Sequence, residues 1–300
     1  ALLAGGRMNE VAQAKHAHPK YCLKMATGTG KTWVLQALLI WQLLNKTAAL
    51  AEGIDDSRFT RQFLIVAPGL IVYDRLLDAF CGKQVDGVRD FATSDVAQFA
   101  GLFIPEAHRE HVFGFVRGNV CGKSEIGLKA TGNGMIAIAN WHLLADVEEL
   151  ESEEESEEEV AALGAMLEPQ QVIAAVLPLT PGRATGNSLD MLDRRYARGN
   201  VLEFLVELPD LMVFNDEAHH IHELKKEGET SEVEWQKSLS RIAESKGRRF
   251  VQVDFSATPY NDVGSGRNKR KLYFPHIITD FDLKSAMRAG LVKSLVLDRR

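Results

Sequence analysis

The sequence predicts an α/β fold in which helices cover both faces of a doubly wound, mostly parallel β-sheet. Short apolar runs alternate along the chain with segments of helical apolar spacing. Strands buried on both faces need continuous apolar runs, because neither face of such a strand meets water. Ligands of these sheets bind beyond the carboxyl ends of the strands. The polar residues that directly follow the apolar runs are therefore the candidates for function.

Five apolar runs are predicted as strands: Tyr21–Met25, Phe63–Ala67, Met135–Ala139, Leu211–Phe214 and Phe250–Phe255. Helices are predicted where the apolar spacing is helical: over Trp33–Leu44, over Ile71–Phe80 and from Trp141 onward. Pro and Gly recur through residues 160–200, which predicts an irregular excursion before the sheet resumes.

Composition restricts the class of protein. The chain has 300 residues, of which 45% are hydrophobic and 25% charged, so it can form a sizeable core. Cys22, Cys81 and Cys121 are too few and too scattered for a disulfide framework or a paired-cysteine zinc site. A reducing compartment, and hence a cytoplasmic location, is expected. The sequence contains no apolar run of about 18 residues, so no membrane-spanning helix is expected.

One segment accounts for the acidic net charge. Residues 148–159 contain nine glutamates, and without them the formal net charge would be +3 instead of −6. A block of like charge repels itself, which predicts an exposed linker or insertion over about 146–200. A segment that mimics nucleic acid and inhibits the protein is the alternative. The mildly basic remainder is compatible with a phosphate-rich partner but does not require one.

A glycine-rich loop at residues 25–32 (Met-Ala-Thr-Gly-Thr-Gly-Lys-Thr) lies between a predicted strand and a predicted helix, as a phosphate-binding P-loop does. Gly28 and Gly30 let the backbone curl so that successive N–H groups, including those of Thr27 and Thr29, point at phosphate oxygens. The helix that follows adds the positive end of its dipole.

The end of this loop supplies two side chains for a nucleotide. Lys31 can place its ammonium against the β- and γ-phosphates, and Thr32 can place its hydroxyl on Mg²⁺. Met25 departs from the general pattern, which has Gly at that position. The alternative is a glycine-rich turn followed by a chance Lys-Thr pair.

An acidic box, Asp-Glu-Ala-His at 216–219, follows the fourth predicted strand. Asp216 is placed to hold Mg²⁺, and Glu217 is the candidate to orient and polarise the attacking water. His219, His220 and His222 leave a transition-metal site open as an alternative, although the spacing His-Glu-x-x-His is absent. A surface histidine patch without function is the other explanation for His220 and His222.

A third segment, Ser256-Ala257-Thr258-Pro259, follows the last predicted strand. A Ser/Thr turn before Pro is common and alone indicates little. Its place after a P-loop and an acidic box favours a role in coupling. Beyond it lies a basic group, Arg267, Lys269 and Arg270, which is either a solvated loop or a loop that contacts phosphates.

Taken in order, these motifs resemble helicase superfamily 2. Residues 25–32 resemble its motif I, Asp216–His219 spell the Asp-Glu-Ala-His form of motif II, and Ser256–Thr258 resemble motif III. Phe63–Pro68 with Gly69 resembles the motif Ia region, which contacts the nucleic-acid backbone in the family, and Ile138–Trp141 is a weaker match to the region of motif Ib. The spelling is most similar to motor subunits of restriction enzymes, above all the Res subunit of type III enzymes, over residues 21 to about 295.

The resemblance implies a RecA-like ATPase lobe over residues 21–290 that binds ATP with Mg²⁺ and closes against a second, similar lobe. Residues 291–300 would begin the connection to that lobe. Residues 1–20 start without Met and are expected to be a flank cut from a longer chain. By the resemblance, Lys31, Asp216, Glu217 and His219 are catalytic, and His219, Ser256 and Thr258 couple the γ-phosphate to nucleic-acid contact.

The implied partners are DNA, duplex DNA more than RNA, and a modification or specificity subunit. An adenine-reading glutamine motif before residue 21, an arginine finger and a nuclease signature are all missing from the sequence. Three alternatives remain: a degenerate nucleotide-binding interaction module, an RNA helicase lobe and, less favoured, a small-molecule P-loop kinase. The intact Lys31, Asp216 and Glu217 argue against degeneration.

Overall fold

Every predicted strand is present in the computed structural model, which describes residues 18–131, 133–219 without 141–200, 234–263 and 270–292. The strands are β1 Lys20–Met25, β2 Gln62–Ala67, β3 Lys83–Val85, β4 Val88–Asp90, β5 Val120–Cys121, β6 Met135–Asn140, β7 Leu211–Asn215, β8 Phe250–Ser256, β9 Tyr260–Val263, β10 Arg270–Tyr273 and β11 Ile277–Phe281. The helices are α1 Lys31–Ala51, α2 Leu70–Cys81, α3 Asp95–Gln98, α4 Ala100–Phe103, α5 Arg109–Asn119, α6 Glu234–Lys246 and α7 Leu283–Arg288, and residues 201–207 are also helical.

Among the described residues, seven strands form one sheet in the order β11-β1-β8-β7-β2-β6-β5, and every pair of neighbours is parallel. Two antiparallel hairpins, β3–β4 and β9–β10, stand apart from it. The fold class predicted from the sequence is confirmed. Because β8 and β7 insert between β1 and β2, the four strands that precede the predicted motifs are consecutive neighbours.

Each face of the sheet is covered by helices, which is why the strands read as continuous apolar runs. On one face, α1, α2 and α5 pack against alternate residues of the central strands, such as Ile65, Phe214 and Phe255. On the other face, α6 and residues 201–207 pack against the intervening residues, such as Leu64 and Val213. The two-residue alternation along β2 and β7 thus divides the core into two layers.

Helix α1 is longer than predicted and ends at Ala51 instead of Leu44. The added turns contain few large apolar residues, but Lys46 is buried there and anchors the helix. Its ammonium lies 3.2 Å from Asp210 Oδ2, and Asp210 Oδ1 accepts a hydrogen bond of 2.5 Å from the Thr60 hydroxyl. These contacts join α1 to the amino ends of β2 and β7.

Although the sequence predicts no membrane span, α1 has the length and apolar composition of one. Its residues Leu35, Leu39 and Leu43 are buried against the sheet, whereas Trp33 and Trp41 are exposed. Core helices of α/β domains carry such buried leucines, so the packing accounts for the apolar character of this face of α1. The predicted helix from Trp141, the acidic segment 148–159 and residues 160–200 lie outside the described residues.

Candidate functional site

The glycine-rich loop connects β1 directly to α1 at the carboxyl edge of the sheet. Gly28 and Gly30 have φ values of +79° and +90°, a region that residues with a Cβ rarely adopt. A Cβ added to Gly28 would meet no atom within 4 Å, so the loop borders open space. The Thr29 hydroxyl donates a 2.6 Å hydrogen bond to the Ala26 carbonyl and holds the curl closed. The loop therefore has the shape of a phosphate cradle.

Lys31, the first residue of α1, turns its side chain toward the end of β7. The side chain is only 8% exposed, and its ammonium forms an ion pair with the carboxylate of Glu217. These residues are 186 positions apart in the sequence. The tertiary structure thus brings two of the predicted catalytic residues into direct contact.

The acidic box crosses the carboxyl ends of the neighbouring strands. The Asp216 amide donates to the Val66 carbonyl on β2, and the Ala218 amide donates to the Phe255 carbonyl on β8, both at 2.9 Å. Between them, Glu217 adopts φ +45°, a left-handed conformation that is unfavourable for a residue with a side chain. Backbone hydrogen bonds therefore hold the turn on both sides of Glu217, and the Glu217 carboxylate points toward Lys31.

Asp216 is a buried carboxylate with 4% exposure. Its pKa is raised above the ordinary value chiefly by burial; the positive charge of Lys31 opposes this shift, and the negative charge of Glu217 adds to it. Arg75 of α2 makes a smaller contribution that lowers the pKa. A carboxylate whose charge is incompletely offset by its neighbours is a suitable ligand for a cation.

His219 links the acidic box to the segment after β8. Its Nδ1 lies 3.0 Å from Ser256 Oγ, with which it is hydrogen-bonded, and 3.6 Å from Glu217 Oε2. Ser256 Oγ also accepts a 3.1 Å hydrogen bond from the Thr258 amide, which leaves its own hydroxyl hydrogen available for His219. Lys31, Glu217, His219 and Ser256 thus form a continuous chain of contacts, with Ala257 in the turn beyond.

The residues predicted to contact nucleic acid occupy two places. Pro68 follows β2, and Gly69 precedes α2 with extended backbone (φ −165°), so it does not need the conformational freedom of glycine. Arg270 begins β10. Arg267 and Lys269 lie outside the described residues, as do His220 and His222. Within the described part of the chain, no group of three or more His, Cys, Asp or Glu side chains has the arrangement of a metal site.

Sequence reasoning missed two features of this edge. Arg75 of α2 acts electrostatically on Asp216, and its place on the helix that follows Pro68-Gly69 was the available signal. Asn215 and Asp254, polar residues at the ends of predicted apolar strands, are hydrogen-bonded to each other at 2.7 Å. Their position in otherwise apolar runs was the available signal.

Comparison with known families gives a match. The family described as the type III restriction enzyme res subunit matches residues 7–161, just over half of the chain. The matched range contains the glycine-rich loop and Pro68-Gly69, whereas the acidic box and Ser256 lie beyond it. Comparison with curated proteins finds no significant match. The match and the parallel sheet agree with the N-terminal motor lobe of superfamily 2 helicases, and the chain belongs to the family of type III restriction enzyme res subunits.

Proposed function

We propose that this chain is the first motor lobe of a DNA translocase, which binds ATP with Mg²⁺ at the carboxyl edge of its sheet and hydrolyses it when a second lobe closes over that edge. The observation that supports this function is the chain of contacts from Lys31 through Glu217 and His219 to Ser256. It joins three motifs that are far apart in the sequence. A phosphate cradle alone would serve many enzymes, but a motor needs the cradle connected to a segment that can sense the bound phosphate.

The residues at this edge fit the phosphates of ATP. The loop from Thr27 to Gly30 borders open space at Gly28, although the Thr29 amide donates to the Ala26 carbonyl at 3.3 Å, and α1 adds the positive end of a helix dipole. Lys31 would contact the β- and γ-phosphates once it leaves Glu217. Desolvation offsets much of the attraction in a largely buried ion pair such as Lys31–Glu217, so a phosphate can displace Glu217 from Lys31.

The residues also fit Mg²⁺, which prefers oxygen ligands. The buried carboxylate of Asp216 and the hydroxyl of Thr32 would hold it, the latter from the first turn of α1. The raised pKa of Asp216 supports this assignment, since a cation at this carboxylate would relieve its electrostatic cost. The ion would supply charge neutralisation for the phosphates.

Glu217 would orient and polarise the attacking water. Its carboxylate contacts Lys31 and lies 3.6 Å from His219. It is 21% exposed, so water can reach it. The two backbone hydrogen bonds that flank it restrict its position. In phosphoryl transfer, positioning of this kind provides much of the rate acceleration.

His219, Ser256 and Thr258 would couple this chemistry to the nucleic acid. A shift of Glu217 on phosphate binding would pass to His219 and then to Ser256, which also holds the Thr258 amide. Thr258 precedes the hairpin β9–β10, whose first and last residues, Tyr260 and Tyr273, pack edge to face. Arg270 begins β10 of this hairpin, and together with Arg267 and Lys269 it would contact phosphates of the track.

DNA, duplex more than RNA, is the proposed track, and a modification or specificity subunit is the proposed further partner. Both follow from the family, whose restriction enzymes act on DNA. Residues 21–290 would form the lobe, with an insertion at about 146–200, and residues 291–300 would lead to the second lobe. By the family resemblance, that lobe would complete the site with an arginine.

ATP turnover by the full-length protein tests this function. We expect duplex DNA to raise the rate of phosphate release at least about tenfold at low salt, where phosphate contacts are strongest. Lys31→Met is the matched control and should abolish turnover with and without DNA. Equal turnover in the presence and absence of DNA would overturn the motor function. Stimulation by RNA alone would show that the track is RNA and not DNA. Residues 1–300 alone should hydrolyse ATP poorly, since half of the proposed site is missing.

A further inference from the structure

A buried polar cluster lies inside the sheet, behind the candidate site. Its centre is Asp254 on β8, a carboxylate that is 0% exposed. It is defined by Asp254 together with Lys20 on β1, Asn215 on β7, Gln252 on β8 and Gln236 on α6. All five are buried or nearly so, and they lie on the face of the sheet opposite α1.

Asp254 contacts all of its neighbouring strands. Its Oδ1 accepts hydrogen bonds from Asn215 Nδ2 at 2.7 Å and from Gln252 Nε2 at 3.0 Å. Its Oδ2 lies 3.6 Å from the Lys20 ammonium, which also donates to Gln236 Oε1 at 3.3 Å. One carboxylate therefore makes polar contact with β1, β7 and β8 at once.

These three strands are the ones that lead into the candidate site. Strand β1 continues into the glycine-rich loop, Asn215 directly precedes Asp216, and Ser256 follows Asp254 by two residues on the same face of β8. Asn215 and Asp254 are also direct partners in the parallel pairing of β7 with β8. At about 3.3 Å of rise per residue, Asp254 lies roughly 7 Å from Ser256. The cluster thus lies within a few residues of each motif.

A buried carboxylate is unfavourable for stability compared with an apolar residue of similar size, because its desolvation opposes its attraction to partners. The surrounding core of Leu211, Val213 and Phe250 shows that apolar side chains fill this face elsewhere. Apolar contacts tolerate small slips between strands, whereas a hydrogen bond of 2.7 Å does not. A polar contact in a core is therefore best explained when it fixes the position of one strand relative to another.

We propose that Asp254 is a positioning residue, which holds the acidic box and Ser256 in one fixed relation through its hydrogen bond to Asn215. The inference rests on the proposed function, since the relation it maintains is the contact of Glu217 and His219 with Ser256. Asp254 does not touch the reacting groups. It acts through Asn215, whose neighbour Asp216 starts the turn that places Glu217.

Steady-state ATP hydrolysis by the full-length protein with duplex DNA tests the proposal. Asp254→Leu and Asn215→Leu should each lower kcat about tenfold and leave the KM for ATP within about threefold, because the loop that binds phosphate is intact. The double variant should lose no more than either single variant, since both remove the same contact. Asp254→Asn can still accept the hydrogen bond from Asn215 and should recover most of the rate.

Asp210→Leu is the matched control. Asp210 is also a buried carboxylate (4% exposed) beside a lysine, but it lies at the amino end of β7, away from the site. It should lower the unfolding midpoint without lowering kcat. The proposal is overturned by near-normal kcat in folded Asp254→Leu, by losses in the single variants that multiply, or by an equal loss of kcat in Asp210→Leu.

Hydrogen exchange provides a readout that does not depend on turnover. The Ala218 amide is bonded to the Phe255 carbonyl, and β7 and β8 are paired along their length, so loosening β7 against β8 exposes these amides. Asp254→Leu, or Asn215→Leu if Asp254→Leu does not fold, should accelerate exchange in peptides 211–219 and 250–258, whereas Asp254→Asn, which keeps the hydrogen bond from Asn215, and Asp210→Asn should not. Unchanged exchange overturns the proposal. If the wild-type protein does not hydrolyse ATP, the proposed function fails, while this comparison still decides whether Asp254 positions the two turns.

Discussion

Replacing Glu217 with Gln separates nucleotide binding from hydrolysis at the candidate site. The substitution keeps the size of the side chain and the backbone contacts that fasten the turn, through the Asp216 and Ala218 amides. It removes the carboxylate charge that faces Lys31 and His219. We therefore expect the variant to fold, to bind ATP and to hydrolyse it very slowly.

The expected magnitudes follow from the contacts. Loss of a catalytic base typically lowers a rate by about 10²–10⁴-fold, which corresponds to about 2.7–5.5 kcal/mol of transition-state stabilisation. The Lys31–Glu217 ion pair is largely buried, with 8% and 21% of the two side chains exposed, and desolvation offsets much of its attraction, so removing the carboxylate releases on the order of 1 kcal/mol of competition for Lys31. ATP affinity should accordingly stay the same or rise by up to about fivefold.

Phosphate release measured with saturating ATP and duplex DNA gives the rate, and titration calorimetry gives the affinity. Lys31→Met provides the opposite pattern as a control, because it removes the phosphate contact and should weaken binding at least about tenfold. Near-normal turnover in Glu217→Gln would remove Glu217 from its proposed role. Loss of ATP binding in the same variant would show that Glu217 acts on the cradle and not on the water.

Two further predictions concern Asp216 and α1. Burial raises the pKa of Asp216 above its ordinary value of 3.8, so a proton competes with Mg²⁺ for this carboxylate at higher pH than at an exposed aspartate. Mg²⁺ affinity should fall as the pH drops through that raised pKa, whereas the Mg²⁺-free fold should gain stability from the same protonation. Titration of Mg²⁺ binding against pH checks this prediction. A Mg²⁺ affinity that stays constant down to about pH 4 contradicts it. Leu39→Ala, at a fully buried position on α1, should lower the free energy of unfolding by about 2–5 kcal/mol in urea titrations, and a loss under about 1 kcal/mol would contradict the packing described.

The sequence predicted the strands well because burial on both faces leaves an unambiguous apolar run. The predicted strand Phe63–Ala67 differs from β2 by one residue, and Phe250–Phe255 differs from β8 by one. Helix ends were less predictable. The last turns of α1 depend on Lys46, a charged residue whose partner Asp210 is 164 positions away in the sequence.

Elements outside the apolar pattern were not predictable in this way. Strand β11 is largely exposed at the edge of the sheet and forms by pairing with β1, so its sequence carries no burial signal. Strand β5 has two residues and exists through its pairing with β6. Hairpin β3–β4 and the short helices α3 and α4 likewise lack a periodic apolar signal of sufficient length.

The sequence by itself determined the α/β class and the candidate chemistry, since apolar runs and the groups that follow them are local features of the chain. It placed Lys31, Glu217 and Ser256 at the ends of strands but could not order those strands. The tertiary structure decided that β8 and β7 lie between β1 and β2, so that the three residues share one chain of contacts through His219. It also decided that Asp254, polar within an apolar run, joins the strands behind them. Strand order depends on contacts between residues far apart in sequence, and no local pattern records such contacts.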